Sequence, residues 1–300
     1  MSLSLYNIKK WFNMLSGNSV HHVIQDEGKI YSKESVRGYY NNLTEKVTRF
    51  PVPDGEVPKT KVDSGNEIYF PIAIFQYGLA AYDLYLLNDD KEMLSVTICC
   101  ADWAVDNQQS DGSFRTFDYK SPSKPYSAMS QGEAISLFIR AHIETGDEKY
   151  LNCATLAKDF MLLPLSDGGT TEYKGDDVFL YEHCGMTPIL NGWIFSLWGL
   201  YDYYKYTKDE NVHTKLNATL TTLKKSLLMY DAKLWSKYDT SKRIASPFYH
   251  ALHIAQLNVM YDLFGDDIYK EYAEKWQGYQ KSFWKRKCAF LKKALQKIFE

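Results

Sequence analysis

Tyr249, His250 and His253 bring a phenol and two imidazoles into the twelve residues from Ser246 to Leu257, where an apolar helical run begins. Helical spacing puts Tyr249 and His253 on one face, four residues apart. Such a group could bind an anionic sugar and move protons, since imidazole titrates near neutrality and both side chains serve as acids or bases. The plainer alternative is a core helix whose polar residues are simply hydrogen-bonded. Three other apolar runs open on a polar residue, at Gln76, Gln131 and Asn191. The segments between the runs are long and chemically rich. Residues 111–126 carry Arg115, residues 167–188 carry Tyr181 and Glu182, and residues 235–247 carry Tyr238 and Arg243. Long loops in a compact domain are commonly functional.

The elements that must position these groups are legible as a repeat. Each apolar run ends in a charged turn, at Asn88-Asp89-Asp90, Gly146-Asp147-Glu148, Lys208-Asp209-Glu210 and Gly265-Asp266-Asp267, and the turns recur every 57 to 62 residues. A second run with polar and apolar residues at helical spacing follows each turn, and Asp is a good N-cap for it. A period near 60 made of two helices predicts stacked helical hairpins, because one hairpin cannot bury its own apolar face. The first helix of each pair is apolar nearly all round, so it is the one to be buried. The expected fold is therefore mainly α, an (α/α) barrel or toroid of about four hairpins with a short β-rich N-terminal segment. In a closed ring, Gln76, Gln131, Asn191 and His253 would share one end of a cavity; an open solenoid is the alternative. The expected organisation is residues 1–68 as an N-terminal helix with β-hairpins and loops, 69–280 as the barrel, and 281–300 as a basic amphipathic helix.

Composition narrows the function. A net charge of −2 is too small to hold nucleic acid by bulk charge. The 24 tyrosines, with 15 Phe and 7 Trp, suit a carbohydrate cleft, although most rings are expected in the core. Five cysteines with no CxxC pair argue against a disulfide framework or a zinc site. No run is long enough to span a membrane, and the N-terminus lacks a signal-peptide pattern, so the expected location is cytoplasmic with reduced thiols. The tail from Lys275 to Phe299 holds eight basic residues among large apolar ones. It could pack on the body or lie on an anionic membrane surface, which would make the protein membrane-peripheral. A homodimer is compatible with the sequence.

Several segments resemble the C-terminal domain of the D-glucuronyl C5-epimerases. They are Ser127-Ala-Met-Ser-Gln131-Gly-Glu-Ala-Ile-Ser, Leu190-Asn191-Gly192-Trp193 to Asp202, and Tyr249-His250-Ala-Leu-His253-Ile-Ala-Gln256-Leu257. Tyr69-Phe70-Pro71-Ile72 to Leu79 is similar to the start of that family's first barrel helix. The resemblance covers roughly residues 36 to 281 and implies an (α/α) barrel with a cleft where the helix starts converge. It implies a glucuronate-containing polysaccharide as partner and catalytic roles for Tyr238 and Tyr249. The family's third element is an acid followed by tyrosine, and here that stretch is shorter. Counted from its start, Cys184 falls at the tyrosine position; counted from Leu190, Tyr181 does. Asn191, residues 112–115 and Arg243 match substrate-contact positions, while Phe70, Ala73 and Phe195 stand where polar contacts are expected.

The reaction implied is conversion of D-glucuronate to L-iduronate residues by removal of the C5 proton and return of one from the opposite face. Asn191, Arg115, Arg243 and His250 are the expected holders of developing carboxylate charge. Gln76, Gln131 and His253 complete the expected substrate-binding set. Tyr249 is the expected proton-transfer group, opposed by Tyr181 or Glu182 and assisted by Tyr238. No metal or other cofactor is required by this chemistry. The alternatives are a non-catalytic glycan-binding barrel and a uronate polysaccharide lyase.

Overall fold

The computed structural model describes residues 23–62 and 64–299, together with Lys9, Phe12 and Asn13. Apart from Lys9, Phe12 and Asn13, which are helical, the expected N-terminal helix lies outside the described residues. The chain is mainly α and divides into two compact units, Gly28–Leu223 and Lys224–Glu300 with the residues up to Glu27. The expected boundaries at 68 and 280 fall inside these units.

The first unit holds the helices α1 (Pro71–Asn88), α2 (Lys91–Asn107), α3 (Ala128–Thr145), α4 (Glu148–Leu162) and α5 (Leu190–Thr207). It also holds most of α6 (Glu210–Ser226). The repeat turns share one construction. Asp89, Gly146 and Lys208 take the left-handed conformation that stops a helix. Asp90, Asp147 and Asp209 then accept from backbone N–H groups of the next helix at 2.9–3.4 Å. The odd-numbered helices are the buried members, as their all-round apolar sequences require.

Helices α3 and α5 meet backbone to backbone. A Cβ on Gly132 would lie 2.6 Å from the Ser196 Cα, and one on Gly199 would lie 2.3 Å from the Gly132 carbonyl oxygen. Just beyond this contact, fully buried Arg140 and Asp202 pair at 2.7 Å. Arg140 also donates to the carbonyls of Arg37, Gly38 and Ser136, and the Tyr40 hydroxyl donates to Asp202 at 2.6 Å. A buried ion pair is tolerable when its remaining donors and acceptors are satisfied this way. The same bonds fasten the loop around residue 38 to the helices. The β structure before α1 is slight: β1 (Thr60–Lys61) pairs antiparallel with β2 (Glu67–Ile68). A second hairpin, β3 (Thr171–Lys174) with β4 (Asp177–Leu180), precedes α5.

The second unit holds α7 (Pro247–Phe264), α8 (Asp267–Lys281) and α9 (Phe283–Phe299). Pro71 and Pro247 begin α1 and α7, where a missing N–H costs nothing. Ser246 caps α7 by accepting from Tyr249 N, and left-handed Gly265 ends it. Asp266 departs from the other turns, since its carboxylate takes Lys224 at 3.0 Å instead of capping α8. No helix among the described residues is long and apolar enough to cross a membrane.

The glycine contact has a measurable consequence. Gly132→Ala is expected to lower the unfolding free energy by about 1–3 kcal/mol, the usual cost of forcing atoms into a packed contact. Gly278→Ala, on exposed helix with open space around the new methyl, is expected to raise it by about 0.5–1 kcal/mol. Denaturant titration of both variants checks this, and a Gly132→Ala protein as stable as the parent would contradict the packing described.

Candidate active site

In the first unit, the beginnings of α1, α3 and α5 carry the polar residues. Gln76 Nε2 donates to Glu133 Oε1 at 2.7 Å, and Asn191 Nδ2 donates to Glu182 Oε2 at 3.2 Å. Gly192 makes the second contact feasible, because a Cβ there would lie 2.2 Å from Glu182 Oε2. The Asn-Gly pair thus supplies both a donor and the space for the acid it binds. Glu133 is fully buried, and burial, reinforced by the charge of Glu182, holds its carboxyl well above the usual range against the pull of Gln76 and Lys46. Lys46 is half-buried on the single helical turn Glu45–Thr48, and burial lowers its amine to about 8. Sequence reasoning passed over both residues. The only signal was an acid two places beyond Gln131, and spacing does not reveal which carboxyl will be desolvated.

Three expected residues in this unit have other duties. Gln131 is buried, accepts from Phe114 N at 3.1 Å and donates to the Gly112 and Ala157 carbonyls at 2.8 and 3.2 Å. It therefore pins the 112–114 loop to α3 and α4. Arg115 lies exposed, 2.5 Å from Asp118 and 3.3 Å from the Pro122 carbonyl. The Tyr181 hydroxyl donates to Glu172 at 2.6 Å, across the end of the β3–β4 hairpin. Burial, followed by this bond to a carboxylate, pushes the Tyr181 phenol up. Close to Glu182 in sequence, His183 stacks on Phe117 at 4.8 Å, and Phe70 meets both Phe117 and Tyr119. Lys120 stands over the Phe117 ring at 4.4 Å, so this patch offers aromatic faces and a cation together.

In the second unit, Tyr238 and Tyr249 come together edge to face, with ring centroids 4.8 Å apart. Tyr249 stands in the first turn of α7. Tyr238 is held on a loop that is closed by a bridge between Lys237 and Ile244 and by the bond from Tyr238 N to the Arg243 carbonyl. Buried Asp239 organises that loop, accepting from Ser241 and from the Arg243 guanidinium. Arg243 is thereby held with its guanidinium carbon 5.6 Å from the Tyr238 ring centre.

His250 and His253 are fully buried. His250 Nε2 lies 3.1 Å from the Trp276 carbonyl and must carry the proton, and its Nδ1 accepts from Ser236 N. The Ser236 hydroxyl sits 2.8 Å from His250 Nδ1 and 3.0 Å from His253 Nδ1, so it donates to the first and accepts from the second. Trp235 stacks on His250 at 3.6 Å. Burial drives His250 down to about 3 and His253 well below its ordinary value. The expectation that these imidazoles hold an anion therefore changes: they are neutral and brace the start of α7 against the loop that carries Tyr238.

Comparison with known proteins agrees with these signatures. The family profile described as D-glucuronyl C5-epimerase C-terminus matches residues 108–278. The chain belongs to this family. It is 32% identical over 210 residues to the D-glucuronyl C5-epimerase of Caenorhabditis elegans, covering 60% of this chain and 34% of that protein. An uncharacterized protein of Methanocaldococcus jannaschii is 31% identical over 156 residues, covering 50% of this chain and 51% of its own. The chain thus spans about a third and about half of the length of these two relatives. Among solved structures, the unsaturated glucuronyl hydrolase of Bacillus sp. GL1 aligns over 79% of this chain and 64% of its own, at 13% identity and a TM-score of 0.48.

The buried imidazoles set a pH dependence. Burial lowers both rings, and His250 protonates only near 3 in the fold but below pH ~6.5 once unfolded, so its contribution is complete above that pH and is lost as pH falls toward 3. Between pH 7 and pH 5 the loss from His250 is about 2 kcal/mol. In urea titrations, the drop in stability over that interval is expected to be about 2 kcal/mol smaller for His250→Gln than for the parent. Equal drops would mean that His250 is not held neutral.

Proposed function

We propose that this chain is a polysaccharide uronate C5-epimerase that converts D-glucuronate to L-iduronate residues within a polymer. The observation that carries the reading is the Tyr238–Tyr249 pair, at the two positions where the family resemblance implies catalytic tyrosines. The C5 proton lies α to the uronate carboxylate and is weakly acidic. Its removal sends an electron pair into the carboxylate, and that charge needs fixed donors. Asn191 and Arg243 have the right chemistry for this role. Tyr249 is the proton-transfer group on one face. A phenol serves as a base when a neighbouring cation stabilises its phenolate, and Arg243 beside Tyr238 supports that for the pair.

For the opposite face, the local bonding within the first unit supports Glu182 rather than Tyr181. The Tyr181 phenol is tied to Glu172, which makes its proton harder to remove. Glu182, by contrast, accepts from the Asn191 amide, a bond that orients the carboxylate. The shortened stretch before α5 then keeps its acid while the tyrosine acquires a structural bond.

Incubation with a glucuronate-containing polymer such as heparosan in heavy water tests the proposal. Deuterium at C5 of intact chains, together with iduronate residues, is the expected result. An unsaturated ultraviolet chromophore would identify a lyase instead, and binding without exchange would identify a glycan-binding protein. Tyr249→Phe and Glu182→Gln are each expected to lower exchange by a hundredfold or more, in the range of lost acid–base catalysis. Tyr181→Phe is expected to stay within a few-fold of the parent; a loss equal to that of Glu182→Gln would return the proton-transfer role to Tyr181.

A further inference from the structure

Helix α9 is amphipathic, yet it packs with its polar side inward. Among its described side chains Ala289 and Lys293 are buried, and Lys285 and Gln296 flank them. Gln296 bonds the Lys242 carbonyl and Ile244 N, closing over the loop that carries Tyr238. Lys285 Nζ reaches the Lys233 carbonyl and stands 3.9 Å over the Tyr279 ring. The opposite side presents Trp284, Leu291 and Leu295, which are 76%, 62% and 55% exposed. With exposed Cys288 they follow one another at four, three and four residues, a continuous apolar stripe along the helix. An outward stripe of this kind marks an interaction surface.

Charge decides what covers it. Residues 282–299 contain six basic side chains and no acidic one. Lys287 and Lys292 are exposed and flank the stripe on either side of the helix. A second copy of the same face would bring these cations together, whereas an anionic lipid surface complements them. Trp at the edge of such a stripe suits the boundary between headgroups and acyl chains.

We infer that α9 docks this protein on an anionic membrane surface, its Trp284–Leu291–Leu295 stripe entering the headgroup region and Lys287 and Lys292 pairing with lipid phosphates. The helix lies in the plane of the interface and does not cross it. The inference rests on α9 alone and is independent of the reaction proposed above. Co-sedimentation of the full chain with vesicles tests it, comparing pure phosphatidylcholine with a mixture containing phosphatidylglycerol at low salt. Binding is expected only to the anionic vesicles, and it is expected to fall with added salt. Trp284→Gln/Leu291→Gln/Leu295→Gln is expected to weaken it at least tenfold while leaving thermal stability and C5 exchange on a soluble polymer unchanged. Lys287→Gln/Lys292→Gln is expected to weaken it by a similar factor. Three results would overturn the inference: no binding to anionic vesicles, binding unaffected by the triple substitution, or a concentration-dependent dimer that the triple substitution abolishes.

Discussion

The contact of α3 with α5, glycine backbone against serine and glycine backbone, sets the position of nearly everything polar in the first unit. Because Gly132 and Gly199 carry no side chains, the two helices approach more closely than Cβ atoms would allow. Their first turns therefore bring Glu133 on one helix and Asn191 on the other close to the Glu182 loop. Arg140 and Asp202 then meet farther along the same pair of helices and fasten residues 37–40 to them. Loss of the close approach would separate Arg140 from Asp202 and move Glu133 away from the Glu182 loop.

Burial, more than direct charge pairing, governs the state of the ionisable groups around the candidate site. Burial raises the Glu133 carboxyl and lowers both imidazoles, because each sits where a charge would lose its hydration. In the first unit Glu182 accepts from the Asn191 amide, and in the second Arg243 is held by the Asp239 carboxylate. On this view the histidines matter through Ser236 and Trp235, which tie the start of α7 to the loop bearing Tyr238.

Much of the architecture was legible in the sequence because it depends on local rules. Left-handed residues followed by Asp mark the turns, and the all-round apolar runs mark the buried helices. Family resemblance singled out Tyr238 and Tyr249, but their edge-to-face contact is a finding of the structure that spacing does not reveal. What could not be read depends on contacts distant in sequence. Gln131 and Asn191 look alike as polar helix starts, yet one pins a loop and the other orients an acid. The direction of the Tyr181 phenol follows from the register that pairs Glu172 with Phe179, which no periodicity reveals. The amphipathic pattern of α9 was visible, but not that its polar side faces the body.

The central claim is that two different groups act on opposite faces of C5. The isotope content of product and recovered substrate at the first turnover in heavy water tests it most directly. The two-group account predicts iduronate carrying solvent deuterium at C5 while recovered glucuronate still holds its original hydrogen. Iduronate that keeps the original hydrogen, or substrate and product labelled equally from the outset, would show a single group carrying the proton between faces and would contradict the account.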